Sequence, residues 1–305
     1  MSYFFAIVVP YVCALIFLTG LVYRVLLWLR SSVPFRIPTV SGQQKSLPWI
    51  KSGKLESPHT SLGVVARMAL EFLLFRSLFR NTRANLHEGP RLIYGEEKTL
   101  WLAALSFHWS MLIVILRHLR LVLEPVPRFV LGLQSLDGFF QLGSPVFYLT
   151  DAVFIVSLAY LLLRRLSNAQ VRYISLLTDY LALGLLLGLA ATGIWMRYVA
   201  KGDLISIKGF AMGMATFSPR IPDNVGLFFY LHLFFVSALL AYFPHSKLMH
   251  MGGSFLSPTR NLANNNRMIR HVNPWDYPVK VHTYAEWEEE FHDKIKAAGL
   301  PLERQ

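Results

Sequence analysis

Five stretches of this 305-residue chain run for about twenty mostly apolar residues apiece, the length an α-helix needs to cross the hydrocarbon core of a bilayer. They cover residues 3–29, 98–123, 145–163, 174–198 and 225–248. The fold they predict is an all-α membrane protein, a five-helix transmembrane bundle. Composition agrees: 54% of residues are hydrophobic and 16% charged, where a soluble domain carries about 25% charged residues. The first stretch is too long for a cleaved signal peptide and lacks both a basic leader and a small-residue cleavage site.

Charge sets the expected orientation. Lys and Arg number 30 against 18 Asp and Glu, a formal net charge of +12. No basic run is interleaved with stacking aromatics, so the surplus reads as loop decoration and no nucleic acid is expected as partner. The connection 31–97 holds Arg36, Lys45, Lys51, Lys54, Arg67, Arg76, Arg80, Arg83 and Arg91. The third-to-fourth turn holds Arg164, Arg165 and Arg172, and the tail holds Arg260, Arg267 and Arg270. The opposite side carries Arg128, Lys201, Lys208 and Arg220. This bias puts the N-terminus outside and the C-terminus in the cytoplasm, in a multi-pass protein of the cell membrane.

Two further segments do not span. Residues 62–79 are apolar but broken by Arg67, Glu71, Arg76 and Arg80, which suits an amphipathic helix lying at the inner interface. Thr283 and Glu286 stand in capping-box spacing ahead of a short soluble helix, acidic early and basic late, that ends at Gly299. The expected units are a transmembrane domain over 1–255, including the cytoplasmic loop 31–97, and a cytoplasmic tail over 256–305 for partner docking.

Chemistry enters with the histidines. His108 and His118 lie ten residues apart in the second stretch, and His232 and His250 lie eighteen apart at the fifth. A titratable side chain inside a bilayer is costly and points to function, and neutral imidazole is the commonest metal ligand. On antiparallel helices, His118 with His232 would grip one iron at the outer depth, and His108 with His250 another at the inner depth. Cys13 is the only cysteine, which excludes an internal disulfide and any zinc ribbon or iron–sulfur cluster held by this chain alone. No C-x-x-C-H occurs, so a haem here is b-type.

Ten helical residues rise about 15 Å and eighteen about 27 Å, a mismatch between the two helices. At about 100° per residue His232 and His250 share a face, with Pro244 breaking the helix between them. His245 gives a better-matched rise of about 19.5 Å but faces about 140° away from His232. On geometry alone His245 and His250 compete evenly.

Residues 9–24 (VPYVCALIFLTGLVYR), the pair F-H108-W and R-H118, and HLFFVSALLAYFPHSKLMH over 232–250 resemble the gamma subunit of respiratory nitrate reductase. The resemblance runs over about residues 3–255. It implies a five-helix protein with two haem b groups that oxidises quinol, here menaquinol, for a cytoplasmic partner, and His108, His118, His232 and His250 as the haem-iron ligands. The long first loop and the tail are more similar to DsrM, the membrane haem subunit of the sulfite-reduction-associated complex. The same branch includes cytochrome subunits of heterodisulfide-reductase-like complexes. It implies a cytoplasmic iron–sulfur partner of heterodisulfide-reductase (DsrK) type that reduces a disulfide- or trisulfide-type substrate.

Other polar residues carry two readings each. Arg117, Arg120 and Arg197 either pair with haem propionates or snorkel as anchors. Asp151 and Asp179 either relay a proton or cap a buried arginine. Loop 121–144 offers Glu124, Arg128 and Asp137 to a quinol, with none singled out. His59, His87, His271, His282 and His292 fall in aqueous segments and read as surface residues. Two other function classes are a haem-free membrane anchor, which b-type absorbance would discriminate, and a transporter with histidine proton relays, which the lack of an inverted repeat disfavours.

Overall fold

The computed structural model describes residues 3–31, 42–80, 83–87, 89, 91–139, 145–222, 225–269 and 281–303; Arg36, Arg270 and His271 lie outside them. Helix α1 (Val9–Leu29) extends a π turn at Phe4–Val8. The first loop folds as α2 (Ser61–Leu74), the one-turn α3 (Arg76–Phe79) and an antiparallel ribbon of β1 (Arg83–His87) and β2 (Arg91–Gly95). That ribbon is the departure from helix among the described residues. There follow α4 (Lys98–His118), α5 (Arg128–Asp137), α6 (Leu149–Ser167), α7 (Ala169–Ile174) and α8 (Leu177–Trp195). The chain continues through α9 (Leu204–Ala215), α10 (Leu227–Tyr242), α11 (His250–Leu256), α12 (Pro258–Asn261) and α13 (Tyr284–Ala297).

Among the described residues, four segments are long and apolar enough to cross a membrane: Phe4–Leu29, Lys98–Leu121, Leu177–Ala200 and Leu227–His245. Helix α6 has 19 residues, but Asp151, Arg164 and Arg165 burden it, and on composition alone it does not join those four. Partners meet the charges at both its ends. Asp151 bonds Arg117, and Glu97 accepts a fork from Arg164 at 2.8 Å from both Nε and Nη2.

Packing runs in the order α4, α6, α8, α10, α1. Phe107, Phe154, Leu158, Leu186 and Ala190 form the core of the first three. Ala6, Ile7, Phe210 and Phe229 join the start of the chain to α9 and α10. Outward faces stay apolar, with Leu18, Val22, Ile115, Val156 and Leu181 exposed, as suits helices whose solvent is lipid.

Helix α2 has its polarity reversed relative to a helix on a water-facing surface. Leu62, Val65 and Leu73 point outward, while the buried Arg67 donates to Leu262 O at 3.1 Å. Thr60 caps its start by accepting from Gly63 N at 3.2 Å. Phe75, in the left-handed region at φ 49°, ends it and breaks the expected 62–79 segment in two. In α13 the expected capping box is present: Thr283 N donates to Glu286 Oε2 at 3.0 Å, and Glu286 N to Thr283 Oγ1 at 3.3 Å.

Candidate functional site

Two pairs of imidazoles face one another. His118, in the last turn of α4, and His232, in α10, have ring centres 6.5 Å apart and planes at 13°. His108 and His250 have ring centres 5.9 Å apart and planes at 86°. A metal-bound imidazole nitrogen sits about 2 Å from the ion and about 1 Å from its own ring centre, so two imidazoles across one ion have centres about 6 Å apart. Both separations fit.

α4 packs on α6 and α10 on α8, with no comparable packing of α4 on α10. His118 and His250 are exposed, and His108 and His232 half-buried, although their helices are apolar.

Each ring is held through Nδ1. His108 Nδ1 lies 2.7 Å from Ala104 O, His118 Nδ1 2.7 Å from Val114 O, and His250 Nδ1 2.9 Å from Lys247 O. A carbonyl only accepts, so Nδ1 carries the proton and Nε2 keeps its lone pair. His232 Nδ1 lies 3.0 Å from Thr192 Oγ1, which gives its own proton to Gly188 O at 2.7 Å and so accepts from the ring. The result is four imidazoles in two couples, each with its Nε2 lone pair uncommitted by the Nδ1 bond. Among the described residues no group of three or more His, Cys, Asp or Glu is gathered around a point. Paired imidazoles with no third protein ligand suit a haem iron, so these residues would hold haem.

Local sequence explains the placement. Gly193 faces His232, and a Cβ there would stand 3.1 Å from His232 Cε1. Beyond α10 the chain is no longer a regular helix: Phe243–His245 is a 3₁₀ turn, Ser246 is extended, and Lys247–Met249 is a second 3₁₀ turn. Pro244 sits against Gly20, where a Cβ would come within 2.7 Å of its Cγ. Arg24 Nε donates to Pro244 O at 3.1 Å, and Lys247 Nζ pairs with Asp179 Oδ1 at 2.8 Å. This irregular path, fastened to α1 and α8, removes the mismatch in rise and brings His250 to His108. His245 turns instead toward α1, its Nε2 lying 3.4 Å from the position of a Gly20 Cβ.

A polar knot stands beside His118. Arg117 Nε lies 3.2 Å from Asp137 Oδ2, and Arg117 Nη2 donates to Asp151; the side chains are 7%, 3% and 13% exposed in that order. Tyr198 donates to Asp151 Oδ2 at 2.8 Å, and Thr150 N to Asp137 Oδ1 at 2.8 Å. The Tyr148 ring lies between two guanidiniums, with Cζ of Arg117 at 3.9 Å and of Arg197 at 4.0 Å. Asp151 therefore caps a buried arginine. Asp179 is likewise structural, accepting from Leu176 N at 3.0 Å and from Lys247, with Arg165 at 3.4 Å. Arg197 donates to Val146 O at 2.9 Å and Arg120 to Gln134 Oε1 at 3.5 Å. In the connection between α4 and α5 Glu124 pairs with Lys208, and Arg128 opens α5.

Thr192, Tyr148, Tyr198 and Phe75 were not among the sequence candidates. Nothing in a linear pattern marks them, because each acts on a residue from another segment.

Residues 90–271 match the family described as nitrate reductase gamma subunit. Over 279 residues the chain is 43% identical to the Hdr-like menaquinol oxidoreductase cytochrome b-like subunit of Archaeoglobus fulgidus, an alignment spanning 89% of this chain and 83% of that protein. The protein of the same description from Archaeoglobus profundus is 41% identical over 274 residues, spanning 88% of this chain and 81% of that one. With the apolar helices and the paired histidines, these likenesses lead to one conclusion: the chain is a multi-pass membrane protein belonging to the nitrate reductase gamma subunit family.

Proposed function

We propose that this protein is a di-haem b electron-transfer subunit, with His118 and His232 holding an outer haem and His108 and His250 an inner one. The N-terminus lies outside, the C-terminus lies in the cytoplasm, and α6 serves as the fifth span. The observation that supports the reading is that His118 with His232 and His108 with His250 have ring centres 6.5 and 5.9 Å apart, with every Nδ1 engaged. Bound there, haem would supply one-electron exchange at each depth.

The chain's own residues orient and insulate. The Nδ1 bonds fix each imidazole plane and raise its basicity. Paired in the knot of Arg117, Asp137 and Asp151, the outer-end charges brace α4, α5 and α6 where menaquinol would dock. Menaquinol is supported as the donor by the description of the Archaeoglobus relatives, and loses two electrons and two protons there. The same description supports a membrane complex with other subunits. We assign as acceptor a cytoplasmic iron–sulfur subunit of heterodisulfide-reductase (DsrK) type, reached through the tail 256–305. The likeness to DsrM supports a setting in sulfur or sulfite respiration.

A purified chain should contain two b haems by pyridine haemochrome assay, both reducible by a menaquinol analogue. One haem per chain, or none, refutes the reading; none at all supports the anchor instead.

A further inference from the structure

We propose that the corner between α2 and α3 is a fitted cover over the inner histidine pair, with Phe75 as a positioning residue for His108. This rests on the inner haem reading above and adds the element that shields and tunes that site. Phe75 holds φ 49° and ψ 48°, a left-handed conformation that a bulky L-residue keeps only where its surroundings impose it. Its ring stands edge-on to His108, with centres 4.9 Å apart at 89°. Phe107 stands edge-on to the same imidazole at 4.7 Å and 77°. His108 thus contacts two aromatic rings.

The surroundings that impose the corner are specific. A helix leaves its last carbonyls free, and α4 supplies indole donors to two of those of α2. Trp109 Nε1 donates to Leu73 O at 3.0 Å and Trp101 Nε1 to Leu74 O at 2.7 Å. Glu71 spans the bend by accepting from Ser77 N at 3.1 Å. Arg260 reaches Glu71 Oε1 at 3.0 Å and Ser77 Oγ at 3.1 Å. Phe72 stacks on Phe255 with ring centres 3.7 Å apart. The cover is therefore fastened to α4, which carries His108, to α11, which begins at His250, and to α12. The corner lies ahead of the matched residues 90–271, and the side chains that fasten it, Trp101, Trp109, Phe255 and Arg260, lie within them.

Excluding water from a haem disfavours the ferric form, which carries the extra positive charge, so the cover holds the inner midpoint potential up. Its ring also fixes the plane of the His108 imidazole. The test uses full-length protein in detergent with Phe75→Gly, which tolerates the left-handed backbone while deleting the ring, and Phe75→Leu, which restores apolar bulk. In Phe75→Gly the ferrous-to-ferric ratio of the inner haem at fixed potential should fall at least threefold, roughly 28 mV at 59 mV per decade. Its ferric paramagnetic resonance line, which follows the angle between the imidazole planes, should shift. The outer haem should titrate as in wild type, and Phe75→Leu should recover most of the potential. Arg260→Gln, which frees the latch and spares the ring, should move the inner potential the same way. His108→Ala is the companion: loss of one haem upholds the underlying reading, and wild-type inner potentials and spectra in Phe75→Gly and Arg260→Gln then overturn the cover alone. Retention of both haems in His108→Ala overturns the reading and the cover together.

Discussion

Thr192→Val isolates one atom of the proposed outer haem site. Three of the four histidines give their Nδ1 protons to main-chain carbonyls, which no substitution removes; His232 alone uses a side chain, the Thr192 hydroxyl at 3.0 Å. Valine keeps the shape and deletes the acceptor. Thr192 is 6% exposed, so water does not readily replace it, and the Nδ1–H is left with only the Leu189 carbonyl near it, at a cost of about 1–3 kcal/mol. Loss of a hydrogen bond behind a metal ligand typically costs 10–100-fold in affinity, about 1.4–2.7 kcal/mol, and the two figures agree. Transfer of haem to excess apomyoglobin should therefore be about 10–100-fold more favourable for the outer haem and unchanged for the inner. The imidazole also becomes a weaker donor to ferric iron, so the outer midpoint potential should rise. Thr192→Ser, which keeps the hydroxyl, should behave as wild type. Wild-type haem retention and potential in Thr192→Val would show that His232 is not held to a metal in this way.

Other substitutions test the rest of the arrangement. His118→Ala and His232→Ala should each abolish the same haem signal in a reduced-minus-oxidised spectrum, and spectrally different losses would break the pairing. His250→Ala should remove the other haem while His245→Ala keeps both; the reverse result gives the ligand role to His245. Arg117→Met strands Asp137 and Asp151 and should destabilise the protein by about 3–5 kcal/mol in detergent unfolding, with Asp137→Asn and Asp151→Asn added together recovering much of it. Truncation after Leu262, beyond the Arg67 contact, should abolish co-purification of the iron–sulfur partner and leave haem content intact; haem loss would mean that the tail completes the cofactor site.

Membrane class, the set of candidate histidines and the capping of α13 are readable in residue order because they are local properties. Apolar length identifies a span, a histidine in or at the end of an apolar stretch marks a candidate, and Thr283 with Glu286 caps a helix whatever surrounds it. The choice between His245 and His250 is of another kind. It turns on how Pro244 seats against Gly20 and how Asp179 catches Lys247, so helical arithmetic past Tyr242 has no purchase. The same holds for Asp151, whose role waits on Arg117 in another helix, and for α6, whose charges find partners only in the folded bundle. Thr192 meets His232 across 40 residues and Arg67 meets Leu262 across 195. Such contacts depend on where helices cross, and a crossing is a property of the packed molecule that no single segment encodes.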